Sequence, residues 1–400
     1  MGASSFSVRS FTVPSVDAVT YGAGAFDGIG DLVRRVGGSR VLVLLSGSLV
    51  GSPVEETLRA ALGSRLAGVH SGIRQHVPRA DVLGAAVRAR ETGADCLVSV
   101  GGGTPIDCAK AVAMCLGTGI TAPEGFDDYR VRFTYPDTYE VPELPADLVP
   151  HIAVPTTLSG AEHTGLAGVT DERTHVKGSY SAPQLMPRAI VLDPVVTAAT
   201  PDWLWAASGM RAVDHAVEGL LSSRAMPFTD ALGVEALRLL AADLAHSAKN
   251  PGDLGARTNC LIATWLSIFG LTNVGVGLSH GIGHQLAAEF DLLHGLTSAI
   301  MLPLVMEFSA AQTAPAQRRV AEALGVDTSG LDDPAAAAAA VQAVRQLIED
   351  LGVPHTLRAV GASRDRLPAV AAAALGDPAV AACPRPVSRR DLEGLLAAAW

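Results

Sequence analysis

Residues 96–110 read C-L-V-S-V-G-G-G-T-P-I-D-C-A-K: a short apolar run that stops on three glycines and continues as helix. Such a run, bounded by turn residues, is the pattern of a strand covered on both faces inside a parallel sheet. Similar runs recur at 40–45, 151–155 and 189–194, with shorter strand-like pieces at 12–13 and 18–21. Helical patterns at 26–36, 54–66 and 81–92 lie between them, and strands alternating with helices predict a doubly wound α/β sheet. Beyond residue 194 no comparable strand pattern follows. Thr200-Pro201-Asp202 supplies a cap and a first-turn proline, Thr229-Asp230 opens a helix through Leu244, and Asp333-Pro334 opens one ending at Gly352. Ser388 with Asp391 caps a last helix to Trp400. Four hundred residues exceed one core, so two domains are expected: α/β over 1–195 and all-helical over 196–400.

The string at 101–110 carries chemistry as well as shape. Gly101, Gly102 and Gly103 let a phosphate approach the backbone, and the helix after Thr104 points free N–H groups at it. The string is neither G-x-G-x-x-G nor a Walker loop. The run 151–155 opens into T-T-L-S-G-A-E, placing Thr156, Thr157 and Ser159 where parallel sheets bind ligands, outside the carboxyl ends of the strands. Residues 121–150 are Pro-rich and acidic and hold Tyr129, Tyr135 and Tyr139; they read as a long loop or irregular hairpin, a lid or a surface insertion.

The second concentration of chemistry is in the helical half. His280 and His284 stand four apart on one helix face, His294 follows ten residues later, and the segment before them, 261–270, is apolar all round. Upstream, Arg211 and His215 form another i, i+4 pair. Imidazoles at these spacings suit a metal or acid–base work, or simply a hydrogen-bonded interior.

The G-G-G-T-x-x-D-x-x-K string and the 211/215, 280, 284, 294 set together resemble the iron-containing alcohol dehydrogenases. That resemblance implies a dehydroquinate synthase-like, Rossmann-like α/β domain plus a helical domain. It implies a pyrophosphate over Gly101–Thr104, with Asp107 and Thr157 near the cofactor, and Lys177 as a further contact. Metal ligands would fall at 211, 215, 280 and 294, with His284 beside the substrate. Arg211 stands where the family has an aspartate, and a guanidinium has no lone pair for a metal. No metal is therefore expected. Pro155 to Thr164, in the form P-T-T-x-x-G-x-E-x-T, looks like the maleylacetate reductase branch, as do Tyr21-Gly22-Ala23-Gly24 and Pro384-Arg385-Pro386-Val387. G-L-S-H-G-I-G-H is closer to the alcohol dehydrogenases, and the reductases are shorter through 121–150. Ser46 stands where the dehydrogenases carry an Asp that repels a 2′-phosphate, so NADPH or NADH is expected, with NADPH accepted.

The resemblance implies a reductase of an unsaturated oxo-acid or related carbonyl compound, with Arg211 in the metal's role. Alternatively Arg211 is a structural partner of Asp214 or Glu218. Other readings are a metal-dependent alcohol dehydrogenase or aldehyde reductase, a non-redox lyase or cyclase, and an inactive binding module. A homodimer is implied by family alone. The net charge of −10 disfavours nucleic acid and acidic membranes. Five cysteines without C-x-x-C predict reduced thiols of a cytoplasmic protein. Phe6 breaks a myristoylation pattern, no signal peptide is expected, and no apolar run reaches the ~18–20 residues of a span.

Overall fold

The computed structural model describes residues 10–13, 15–134, 138–174 and 176–400. The myristoylation pattern at 1–6, Tyr135 and His175 lie outside them. The first half alternates β1 (Ala18–Tyr21), α1 (Ile29–Arg35), β2 (Val41–Leu45), α2 (Pro53–Leu62), β3 (Leu66–His70), α3 (Arg79–Thr92), β4 (Cys96–Gly101) and α4 (Gly103–Thr118). A small antiparallel pair, β5 (Arg132–Thr134) with β6 (Thr138–Glu140), makes the 121–150 excursion an irregular hairpin. Then come β7 (His151–Pro155), β8 (Leu166–Asp171), β9 (Val176–Ser181) and β10 (Ala189–Leu192). Six strands form one parallel sheet in the order β1-β10-β7-β4-β2-β3. The four central strands β2, β4, β7 and β10 are buried at every residue, as continuous apolar runs require.

Three departures from the sequence pattern have physical causes. β3 was not expected, because L-A-G-V-H is half-buried at a sheet edge and carries Gly68. The antiparallel hairpin β8–β9 was also missed; its alternating burial is that of a strand pair with one covered face, so it lacks a continuous apolar run. Thr12 and Val13 form no strand. The Thr12 N–H donates to Asn273 Oδ1 at 2.7 Å and its carbonyl accepts from Asn273 Nδ2 at 3.0 Å, so one side chain stands in for a neighbouring strand.

From Pro194 on, the described chain is helical: α5 (Pro194–Thr197), α6 (Asp202–Leu221), α7 (Pro227–Lys249), α8 (Leu254–Ile268), α9 (Leu271–Val274), α10 (Leu278–Phe290), α11 (His294–Ala323) and α12 (Asp333–Leu351), followed by α13 (Leu367–Ala374), α14 (Pro378–Ala381) and α15 (Arg389–Ala398). Thr200 does not cap α6; its hydroxyl donates to the Thr156 carbonyl at 2.7 Å, fastening the helix start to the turn beyond β7. Thr229 lies inside α7, donating to the Met226 carbonyl. Asp332 rather than Asp333 caps α12, and Ser388 with Asp391 forms the expected capping box on α15. The segment 261–270 has no exposed residue. All five cysteines are free thiols, and burial pushes Cys96, Cys115 and Cys260 up to about 12. No single helix among the described residues is long and apolar enough to cross a membrane.

One crossing sets the geometry of the helical half. α11 starts against α6 so closely that a Cβ on Gly295 would sit 1.8 Å from the Ala207 carbonyl oxygen. His294 and Ser298 are thereby carried onto α6 beside Arg211. A large apolar cluster from α6, α7, α8, α11 and α12 reaches Leu158, Ile190 and Leu192, so the helices and the sheet share a core. Gly295→Ala should cost about 3 kcal/mol or more in urea unfolding, because backbone on backbone has no rotamer by which to yield. Gly394→Ala, a helix position with open space around it, should instead gain about 0.5–1 kcal/mol.

Candidate active site

The glycine loop is closed in by the residues that the sequence grouped with it. Gly101 has φ 148°, and a Cβ there would fall 2.6 Å from Pro105 Cγ and 2.8 Å from Ser46 Cβ. The same atom on Gly102 would fall 3.2 Å from the Thr157 side chain, and on Gly103 3.3 Å from Ser159 Oγ. The Thr156 N–H donates to the Gly101 carbonyl at 2.9 Å. Ser46, Gly101–Gly103, Thr156, Thr157 and Ser159 thus come together at the carboxyl ends of β2, β4 and β7, with Thr104 in the first turn of the sixteen-residue α4. This is a cradle that side chains on the loop would fill, at the positive end of a helix, and it fits a pyrophosphate.

Asp107 and Lys177 are both tied to the β8–β9 hairpin. Asp107 Oδ2 accepts from the Gly168 N–H at 3.1 Å, so the carboxylate joins α4 to β8. Lys177 is on β9 and lies over Gly168, where a Cβ would meet its Cε at 2.3 Å. Burial lowers the Lys177 pKa, Asp107 works against that shift, and Arg211 adds to it. Lys110, which closes the glycine motif, is a structural bolt. It is fully buried, and its ammonium donates to the Ala161 and Leu166 carbonyls at 2.6 and 2.7 Å.

The histidines also converge. The loop after β7 touches them, since a Cβ on Gly160 would lie 3.6 Å from His215 Cε1. Ring centroids run from His215 to His280 at 5.0 Å, His280 to His284 at 6.2 Å and His284 to His294 at 5.8 Å. Glu218 accepts the backbone N–H groups of Gly277, Ser279 and His280, and its Oε2 lies 2.6 Å from His280 Nδ1. The imidazole therefore donates from Nδ1, and its Nε2 is left as a buried lone pair without a partner. His284 Nδ1 is 3.0 Å from Asp377 Oδ2 in the same manner. Burial lowers the pKa of His215, His280 and His294 alike, and Arg211 adds to the effect at each.

Arg211 sits among these rings; burial lowers its pKa, and the carboxylates of Asp214, Glu218 and Asp377 work against that shift. Its Nη1 donates to Ser298 Oγ at 3.3 Å and stands 3.9 Å from Asp214 Oδ2. Ser298 and Ser279 both donate to that same Asp214 oxygen, at 2.6 and 3.0 Å. Asp214 is fully buried, and burial together with the Glu218 charge raises its pKa. Glu218 is pushed up to about 7 by burial, against the pull of its three backbone donors. Asp214, Glu218 and His280 lie close enough to hold a metal, but of the four carboxylate oxygens only Asp214 Oδ1 is not already an acceptor. At 211, 215, 280 and 294 the chain offers three imidazoles and a guanidinium. That set does not fit a divalent ion, because a fixed cation occupies the anionic ligand's corner.

Ser279, Ser298, Asp377, His76 and Asp291 join this site without having been singled out in the sequence. Asp214 and Glu218 were visible as helical neighbours of Arg211 at i+3 and i+7. Asp377 and His76 reach the site only by tertiary packing.

Known proteins share this architecture. The iron-containing alcohol dehydrogenase model matches residues 17–194, and the Fe-containing alcohol dehydrogenase family C-terminal model matches 205–400. The chain belongs to the iron-containing alcohol dehydrogenase family, whose members are oxidoreductases. Within it the chain is of the maleylacetate reductase-like branch. It is 34% identical over 382 residues to maleylacetate reductase 2 of Cupriavidus pinatubonensis, covering 96% of this chain and 94% of that one. It is 32% identical over 383 residues to the lactaldehyde reductase of Escherichia coli K12, covering 95% and 97%. The crystal structure of a 1,3-propanediol oxidoreductase superposes with TM-score 0.91 at 27% identity, covering 98% of this chain and all of that one.

Glu218→Gln should lower stability by about 2 kcal/mol in urea unfolding, since an amide keeps one acceptor oxygen and turns N–H groups toward donors. The His280 ring nitrogens, followed by 15N NMR, should lose the single Nδ1–H tautomer that Glu218 selects in the parent protein.

Proposed function

We propose that this protein is an NAD(P)H-dependent reductase of an unsaturated oxo-diacid, similar in reaction to the maleylacetate reductases among its relatives. The observation that carries this reading is Arg211: a buried guanidinium with its nearest carboxylate, Asp214, 3.9 Å away, beside Lys177 and four imidazoles. Such a cluster suits a substrate bearing carboxylates and developing negative charge at an oxygen. A neutral aldehyde or short alcohol would leave that positive charge unmet.

Gly101–Thr104, Thr157 and Ser159 would hold the dinucleotide, and a reduced nicotinamide there would supply a hydride to the substrate's electrophilic carbon. The chain's own part is electrostatic and acid–base. Arg211 meets the charge that collects on the substrate oxygen as an enolate forms, and its guanidinium keeps its proton throughout. His284 has Nδ1–H on Asp377, so Nε2 is the atom available to exchange a proton with the substrate. His280, locked by Glu218, presents Nε2 and orders the wall behind Arg211. No step needs a metal.

The test is NADPH and NADH oxidation with maleylacetate and, separately, lactaldehyde, before and after exhaustive chelation. The reading predicts turnover of maleylacetate that survives chelation. Turnover confined to the aldehyde and abolished by chelation would establish a metal-dependent alcohol dehydrogenase instead. Consumption of neither nucleotide with any carbonyl substrate would favour a lyase or a binding protein. Ser46 offers a neutral hydroxyl beside the glycine loop, so NADPH should be accepted. A preference for NADH above about a hundredfold, some 2.7 kcal/mol, would count against that assignment.

A further inference from the structure

Only three non-glycine residues among those described adopt a left-handed backbone: His76 (φ 63°), Val77 (φ 54°) and Asp291 (φ 53°). Two of the three are bonded to each other. His76 Nε2 lies 3.0 Å from Asp291 Oδ1, joining the β3–α3 connection of the sheet half to the end of α10 in the helical half. Left-handed conformations oppose side chains that have a Cβ, and such residues gather where the surroundings impose them for function. Here the surroundings are explicit. Thr170 of β8 donates its hydroxyl to the His76 carbonyl at 2.8 Å and its N–H to the Val77 carbonyl at 2.9 Å, and Val77 is fully buried.

The bond does not account for itself as a source of stability. The Asp291 side chain is 82% exposed, and an ion pair in that setting contributes little. What it does fix is the ring of His76, and that ring stands edge-on to His294 at 6.1 Å and 76°. His284 also stands edge-on to His294, at 5.8 Å and 83°. His294 needs such neighbours, because its Nδ1 is buried without a hydrogen-bond partner to set the ring's angle. Both flanking imidazoles are held by carboxylates, His284 by Asp377 and His76 by Asp291.

We propose that His76 and Asp291 are positioning residues for His294, forming a strained brace across the two halves that sets the angle of its imidazole in the site. The inference rests on the proposed function, in which His294 is one of the four imidazoles beside Arg211. Strain at both ends is then the cost of placing one ring. A brace of this kind acts on turnover and leaves nucleotide binding alone, since among the described residues neither His76 nor Asp291 bonds to Gly101–Gly103, and each bonds instead to the other.

Asp291→Gly separates this role from a structural one, because glycine relieves the left-handed strain while deleting the carboxylate. The variant should melt no lower than the parent, yet its kcat with maleylacetate should fall at least tenfold with KM for NADPH within twofold. Asp291→Asn, which tolerates the same backbone and retains an acceptor oxygen, should restore most of the kcat. His76→Gln should resemble Asp291→Gly, and the double variant should lose no more than either alone. A readout independent of turnover is the 15N–1H spectrum of the His294 ring, which should shift and broaden in Asp291→Gly and not in Asp291→Asn. An Asp291→Gly protein with parental kcat and an unmoved His294 resonance would overturn the proposal, as would a fall in kcat with that resonance unmoved. If the parent protein does not turn over maleylacetate, the functional reading fails. The His294 resonance then decides the brace by itself.

Discussion

The carboxylate of Glu218 is the contact on which the rest of the site depends. It projects from α6 into the first turn of α10, where three N–H groups have no helical acceptor, and takes Gly277, Ser279 and His280 together. That single side chain starts α10, fixes its distance from α6, and chooses the His280 tautomer. A Cβ on Gly277 would come within 2.8 Å of the same carboxylate, so glycine is what allows it to enter. With α10 set by Glu218 and α11 by the Gly295 crossing, His215, His280, His284 and His294 have little freedom left.

Charge is distributed unusually within that frame. The cation and the nearest carboxylate sit one turn apart on α6, as Arg211 and Asp214, and Ser298 touches both. Asp214 lies in a fully buried place between Ser279 and Ser298, its Oδ2 3.3 Å from His280 Nδ1, and burial with the Glu218 charge raises its pKa. Arg211 is then the residue that faces the site. On the proposed reading this arrangement converts a family metal cradle into an anion-recognising surface, with guanidinium and ammonium in place of an ion.

Much of this was legible because backbone hydrogen bonding and burial leave periodic traces. β2, β4, β7 and β10 read as strands because both faces are covered, and the glycine loop read as a phosphate cradle because only glycine fits between Ser46, Pro105 and Thr157. The i, i+4 pairs 211/215 and 280/284 placed the imidazoles on shared helix faces. What stayed hidden depends on contacts between distant segments. β3 and the β8–β9 hairpin have one open side and hence no unbroken apolar run. The contacts of Lys177 and Asp107 with Gly168 were hidden because the β8–β9 hairpin that brings Gly168 to them leaves no unbroken apolar run. Nothing near His76 or Asp377 in the chain signals a site; packing alone brings each to a histidine.

The account turns on whether Arg211 is what keeps metal out of an otherwise competent histidine set. Calorimetric titration of zinc or iron(II) into the parent protein and into Arg211→Asp measures this directly. The account predicts no stoichiometric binding to the parent and tight one-to-one binding to Arg211→Asp, whose carboxylate completes three imidazoles into a four-ligand site. Tight stoichiometric binding to the parent protein, unchanged or weakened in Arg211→Asp, would contradict it.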